Sequence, residues 1–456
     1  MTLPEISSKQ LVLWAGLGML LPLPVMQYIA EESYYTLGAY EIFTSGDWWH
    51  QSIFGLYWPK TPLYNWLIIA VAQLIGWEHL HIAARIVSVS ASLGSAAIVF
   101  LMTRRFYPDH ADLPWRAALI YLTMGEISFW YGWLGYADAT FAFFIFAAIA
   151  SLWIAIEDIS PLWLLSSAIL ICLAFFTKNF SCYLMYVSAG MVLIYRYRRW
   201  GLLVKPLFIA PVLAAFCFPW VYQNIILAGG SNTGVAIGDA LRNFIGYGFL
   251  VYIKHWLTYP LLFLARAFPV TLLLIWFYWR DKQRYTLDPI LFTLLLILLL
   301  CLLPYWLSAT GTPRYLIPFY GPLALLLTGL SLQLDKKKIV IVSKAMLIVI
   351  IMKIPYSLAV LPYIKDWRPE RNIVAVVDDI MQITNGKPLR TLDDVSTGLS
   401  IGAYIDVRTP HDQFVLWYDG KEKQVYILSE VKDPKLGKLI KHWRLQGNHT
   451  YLYWRP

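Results

Sequence analysis

Apolar runs recur along the first 365 positions, each close to the ~20 residues a helix needs to cross a ~30 Å hydrocarbon core. Short polar connections separate them. The runs cover residues 10–28, 82–103, 116–134, 138–156, 159–176, 180–195, 204–227, 256–279, 289–308, 315–333 and 339–362, so eleven membrane-spanning helices are expected. The further apolar stretch Pro62–Gly76 would rise only about 22 Å as a helix, too little to cross, and is expected to lie at the interface. After residue 365 the pattern turns mixed. Helical periodicity covers Asn372–Gln382, strand-like segments cover Tyr404–Val407, Val415–Trp417 and Val425–Leu428, and a basic amphipathic stretch runs over Pro434–Trp443.

The expected fold is therefore an all-α polytopic membrane protein of about eleven transmembrane helices, followed by a small C-terminal α/β extracytoplasmic domain. The boundary falls between 1–365 and 366–456. A first outer loop, 29–81, carries interfacial helices, and a long outer loop, 228–255, starts at Gly229-Gly230-Ser231-Asn232. No internal repeat or low-complexity segment is visible.

Composition agrees with this division. The chain is 59% hydrophobic and 14% charged, which excludes a soluble globular enzyme, for which about a quarter of residues are charged. Residues 1–365 hold 40 charged side chains and residues 366–456 hold 25, so the tail is much the denser in charge. The net charge of +9 resides mostly in the membrane part, where bases reflect topology and anionic headgroups, and it implies no nucleic acid. With the N-terminus inside, 15 loop bases lie on the cytoplasmic side and 7 outside, as the positive-inside rule requires. An odd number of spans then puts the tail outside. Cys172, Cys182, Cys217 and Cys301 lie in or beside apolar spans and read as core residues. The first run has no A-x-A cleavage site and is read as a retained span.

This topology brings the isolated charges Glu31, Glu32, Lys60, Arg85, Asp138, Lys178, Lys254, His255 and Arg314 to one surface, the outer one. Charge at bilayer depth costs about 2.5–3.5 kcal/mol per residue on insertion scales, so their gathering indicates a polar cavity opening outward. The pair Glu31-Glu32 after the first span supplies either a general base or a cap for the helix that follows. Lys60, flanked by Pro59 and Pro62 in an aromatic-rich hairpin, is either a fixed cation or a snorkelling headgroup anchor. Glu126 and Arg266 lie inside spans, where paired or cavity-facing positions are expected.

Several of these residues form an ordered set. Glu31-Glu32, Tyr35, Ser45-Gly46-Asp47-Trp48 and Tyr57-Trp58-Pro59-Lys60-Thr61-Pro62-Leu63-Tyr64-Asn65-Trp66 resemble the first periplasmic loop of the GT-C glycosyltransferases. Ala84-Arg85, Arg104-Arg105-Phe106, Asp138, Phe175-Phe176-Thr177-Lys178-Asn179 and Pro313-Arg314-Tyr315-Leu316-Ile317-Pro318 follow in the family's order. The resemblance covers roughly residues 10–330 and is to the lipid A aminoarabinose transferase and protein O-mannosyltransferase branches. It implies a hexosyl- or pentosyltransferase in the bacterial inner membrane, with active site and tail on the periplasmic side. The donor would be a polyprenyl-phosphate sugar, and the acceptor a glycolipid such as lipid A, a polysaccharide or a protein. The family's acids map to Glu31 or Glu32 and to Asp138. Its phosphate-binding groups map to Lys60, Lys178, Arg314, Tyr315 and Arg85, with Tyr35, His255 and Arg266 as further candidates.

The aminoarabinose branch has a metal-binding Glu just before the lysine. Here Pro59 stands there and only His255 remains as a ligand, so no metal site is assigned. The chemistry needs no nucleotide: a carboxylate takes the acceptor hydroxyl's proton, and fixed cations stabilise the departing phosphate. A single displacement inverts the anomeric centre. The rival readings are a flippase for a lipid-linked sugar and a non-catalytic lipid-binding subunit. A flippase more often shows inverted repeats and spans broken by Gly or Pro, and neither is visible in the sequence.

Overall fold

The computed structural model describes residues 7–226, 247–309, 311–410 and 413–456. They fall into two compact units.

The first unit, Met1–Leu20, Ser88–Trp133 and Ala137–Ile354, is built of helices. Among the described residues five helices are long and apolar enough to cross a membrane: Trp77–Phe106, Ala137–Glu157, Pro206–Asn224, Pro289–Leu307 and Lys336–Lys365. At the centre of the unit is Ala137–Glu157, buried along nearly its whole length. Its alanines let neighbouring helices approach closely, which is how membrane helices gain packing energy where the hydrophobic effect gives none. On one side Gly321 lies against the Phe146 ring, where an added Cβ would come within 2.8 Å.

Three expected spans are not continuous helices, and the first of them, 10–28, is helical only over Ser8–Leu20. The run 116–134 forms Leu113–Leu122 and Gly125–Phe129, and the run 256–279 forms Phe249–Arg266 and Val270–Arg280, which meet at 106°. Pro269 removes the N–H that would continue the second run. The two breaks satisfy each other, because the Gly125 N–H donates to the Phe268 carbonyl at 3.0 Å. Only glycine permits this approach, since a Cβ at residue 125 would lie 1.9 Å from the Phe268 ring. Broken spans are thus present, contrary to the sequence expectation. Of the outer loop 228–255, residues 228–246 lie outside the described residues, and Phe249 onward is helix rather than loop.

The second unit is Leu21–Val87, Leu134–Tyr136 and Pro355–Pro456. It contains the helices Glu32–Ser45 and Leu63–Ile75 and an antiparallel hairpin, β1 (Gln51–Ile53) and β2 (Leu56–Trp58). The tail adds helices Ile373–Thr384 and Ser396–Asp406 and strands β3 (Leu389–Thr391), β4 (Leu416–Trp417), β5 (Val425–Ser429), β6 (Lys438–Leu445) and β7 (Asn448–Arg455). These strands form one mixed sheet in the order β4-β3-β5-β7-β6, parallel at β3 and antiparallel from β5 outward. Asn372 caps the first tail helix by accepting from the Ala375 N–H at 3.0 Å.

Two expectations change here. Tyr404–Val407 was read as a strand but ends the helix Ser396–Asp406, whose residues from Thr397 onward are all buried. Burial on every side erases the periodicity that separates helix from strand in a short apolar run. The packing also does not follow a boundary at residue 365. Tyr28, Leu37, Ile53 and Phe54 from the first loop share one core with Val377, Ile401, Leu428 and Leu452 from the tail.

The hairpin turn is held by a carboxylate. Phe54 and Gly55 both have positive φ, 55° and 74°, the geometry of a tight two-residue turn. Glu41 is buried beneath it and accepts from the Ser52 hydroxyl and from the Phe54 and Gly55 N–H groups. Burial raises its pKa, and these three bonds oppose the shift. The turn delivers Phe54 to the core, against Gly402, where a Cβ would come within 2.4 Å of the ring.

Burial also pushes the Asp393 carboxyl up to about 7, with the charges of Glu430 and Asp394 adding to the rise and the Val395 N–H opposing it. A carboxyl whose pKa is higher folded than unfolded contributes stability that is complete below pH ~4 and is lost as pH rises through 7. Asp393→Asn is expected to match the parent's denaturation midpoint at pH 4 and exceed it at pH 8, where its unfolding free energy is greater by on the order of 2–4 kcal/mol. Equal midpoints at both pH values would refute the assignment.

Candidate active site

In the second unit the two adjacent acids have opposite environments. Glu32, the first residue of its helix, is 1% exposed and receives four hydrogen bonds. Its Oε1 accepts from Arg85 Nε at 2.9 Å and the Gly135 N–H at 2.7 Å, and its Oε2 from Arg85 Nη2 at 2.6 Å and the Ile29 N–H at 2.8 Å. Arg85 is fully buried and spends its other donors on the carbonyls of Leu23, Met26 and Gln27, at 3.1, 2.7 and 2.6 Å. A guanidinium has five N–H groups, and all five have acceptors here. This geometry leaves Arg85 no N–H for a phosphate and engages both oxygens of Glu32, against the roles expected of them. Gly135 fits because a Cβ there would lie 2.9 Å from the Ala84 Cβ.

Glu31, by contrast, is exposed, at the position that caps the same helix. Its N–H donates to the Tyr136 hydroxyl at 2.9 Å, which fixes its backbone. The Tyr35 ring packs edge-on against Tyr64 and Tyr136, and its carbonyl accepts from the Asn65 amide. Lys60 is exposed just after β2, its N–H bonded to the Trp58 carbonyl at 2.8 Å.

The first unit gathers another set. Asp138 lies in the opening turn of Ala137–Glu157, is 1% exposed, and pairs directly with Lys178, the residue that closes Pro161–Thr177. The Lys178 Nζ lies 4.6 Å from the Tyr315 ring centre, and the Arg314 guanidinium carbon lies 5.6 Å from the same ring. Two cations thus share one aromatic ring beside a buried carboxylate. The second carboxylate oxygen, Asp138 Oδ2, is buried without a hydrogen-bond partner among the described residues. Buried acceptors are normally satisfied, so this oxygen marks a place for a donor.

Arg266 is engaged elsewhere, through two bonds of 2.7 and 2.6 Å to Glu126, where the two broken spans meet. His255 lies within a helix, its Nε2 3.1 Å from the Tyr305 carbonyl and its ring on Tyr259. Among the described residues no three His, Cys, Asp or Glu side chains gather in metal-binding geometry. Sequence reasoning missed Gly135, Tyr136 and Glu41. The first two stand just ahead of Asp138, but nothing local marks what they touch.

The mostly helical fold is shared with a solved protein of the branch that the sequence resembles. It is similar to the crystal structure of ArnT from Cupriavidus metallidurans bound to undecaprenyl phosphate, with a TM-score of 0.70 over 97% of both chains at 13% identity. The apo structure of that protein gives 0.66. Residues 59–223 match the dolichyl-phosphate-mannose-protein mannosyltransferase family. Among curated proteins, the chain is 30% identical over 311 residues to the undecaprenyl phosphate-alpha-4-amino-4-deoxy-L-arabinose arabinosyl transferase of Pseudomonas aeruginosa, covering 66% of this chain and 55% of that one. A Pseudomonas fluorescens counterpart is 28% identical, covering 68% and 54%. The chain thus matches just over half the length of these relatives. In both sequence and fold the chain resembles the aminoarabinose transferases.

Removing either partner of the buried pair, by Glu32→Ala or Arg85→Ala, is expected to cost about 3–5 kcal/mol, because the other charge is left buried and unpaired. Thermal unfolding of detergent-purified variants measures this. Variants as stable as the parent would overturn the structural assignment.

Proposed function

We propose that this chain is an integral-membrane glycosyltransferase that moves a sugar from a polyprenyl-phosphate carrier to a glycolipid acceptor such as lipid A, on the outer face of the bacterial inner membrane. The observation that carries this is the division between Glu31 and Glu32 on a GT-C fold: the buried pair with Arg85 commits Glu32 and leaves the exposed Glu31 as the acid for chemistry. Glu31 takes the proton of the acceptor hydroxyl as it attacks the anomeric carbon, in a single inverting displacement. Lys60, Lys178 and Arg314 oppose the charge that grows on the departing phosphate, Arg314 with a fork that grips two oxygens. Asp138 orients Lys178. The relatives' names support a carrier of the undecaprenyl-phosphate type.

The same proposal includes eleven spans with the N-terminus inside and the tail outside, supported by the loop bases, 15 against 7. One observation favours a flippase instead: the broken spans meeting at Gly125 and Phe268, a feature of transporters.

A transfer assay in detergent separates the two, since a flippase has no activity without a bilayer. Radiolabelled sugar is expected to pass from the polyprenyl-phosphate donor to the glycolipid. Glu31→Gln should lower kcat about 10²–10⁴-fold with the fold intact, and Arg314→Ala should weaken binding of undecaprenyl phosphate. Full activity in Glu31→Gln would remove the proposed base, and no transfer by the parent would leave the flippase.

A further inference from the structure

The second unit contains a half-open cleft of about 270 Å³ that the mechanism does not use. One wall is the segment Pro24–Gln27, whose carbonyls at Met26 and Gln27 are held by Arg85. The others come from Glu78 and His81, from Val374, and from Tyr404, Val407 and Arg408 at the end of the helix Ser396–Asp406. The lining is half apolar and half polar. Its apolar part is aliphatic and aromatic, with the Tyr404 ring packed on Tyr28 and near His81. Its lining residues include one of each charge, Glu78 and Arg408.

Neither charge is consumed by its known contacts. Arg408 gives one N–H to Asp378 at 2.7 Å and leans over the Tyr404 ring at 5.7 Å, which leaves further donors of its fork. The Glu78 side chain is 69% exposed and touches only the adjacent His79, at 3.9 Å, among the ion pairs of the described residues. No ion pair joins Glu78 to Arg408. Two opposite charges that line one cleft without neutralising each other suit a ligand carrying the complementary pair.

We propose that this cleft binds a small headgroup bearing both an ammonium and a phosphate, the ammonium at Glu78 and the phosphate at Arg408. Guanidinium groups take phosphate oxygens two at a time, whereas a carboxylate accepts from an ammonium. The volume sets the size. Pockets for drug-sized ligands run about 300–1,000 Å³, so this cleft takes a single amino-sugar phosphate or a phosphoethanolamine unit and no larger glycan. Both are membrane-surface chemistries, the first from a phosphorylated glycolipid, the second from a common phospholipid. A role in holding the acceptor rests on the transferase function proposed above; the binding itself does not.

Titration calorimetry on the detergent-purified full chain tests this with three probes: glucosamine 1-phosphate, phosphorylethanolamine and inorganic phosphate. Binding of at least one amine-bearing probe, about tenfold tighter than inorganic phosphate, is the expected result, and the tighter of the two identifies the source. Glu78→Gln should erase the advantage over inorganic phosphate, Arg408→Met should weaken all three, and Val407→Trp should block the cleft. Asp378→Asn, which removes only the outer partner of Arg408, should leave binding intact. Absence of binding by the parent, or binding unchanged in Glu78→Gln, Arg408→Met and Val407→Trp, overturns the proposal. Probe binding by a parent that shows no sugar transfer would refute the transferase function and leave the cleft standing.

Discussion

A single buried ion pair organises the segment that follows the first helix. Glu32 and Arg85 carry opposite charges where water is excluded, and such a pair is stable only if every remaining lone pair and N–H is satisfied. Here the surplus donors of Arg85 are spent on three carbonyls, of Leu23, Met26 and Gln27. The surplus acceptors of Glu32 take the N–H groups of Ile29 and Gly135. The cost of burying the charges thus forces five backbone groups from separate stretches of chain to one point. Gln27 extends the network into the tail, its side chain bonding to Asn372 and to the N–H groups of Ile373 and Val374. Its own N–H donates to Asp366, whose carboxyl burial pushes up to about 6.

This arrangement explains how neighbouring residues of one type come to differ in surroundings. Position 31 and position 32 are chemically the same, but the first turn of a helix points them in different directions, and only one direction leads to Arg85. The helix Glu32–Ser45 and its loop therefore hold Glu31 on a rigid base at the surface. Rigid support of that kind suits the role proposed for Glu31, because proton transfer depends on reach before it depends on acidity.

The same rule governs the other charges of the helical unit. Asp138 pairs with Lys178, and Glu126 with Arg266, each acid buried and each base partly exposed. Pairing lowers the cost of placing charge in an apolar surrounding. It also leaves the cations oriented, since a base fixed on one side by a carboxylate presents its other donors in a defined direction. Tyr315 does the same for Lys178 and Arg314 through its ring face.

Apolar run length made the helical membrane unit legible in the sequence, because the hydrocarbon core demands ~20 apolar residues. The resemblance to the aminoarabinose transferase branch was legible too, in the order of its acids and bases along the chain. What local pattern leaves open is partner choice. That Glu32 rather than Glu31 meets Arg85, and that Arg85 has no donor left for a phosphate, depends on Gly135, about a hundred positions away. That the spans break at Gly125 and Pro269 depends on the two breaks meeting. Helix Ser396–Asp406 could not be told from a strand because every face is buried, and the core it shares with Phe54 joins distant segments of the chain. Composition and periodicity are properties of a window of residues, whereas satisfied charge and packed volume are properties of groups that only the folded chain brings together.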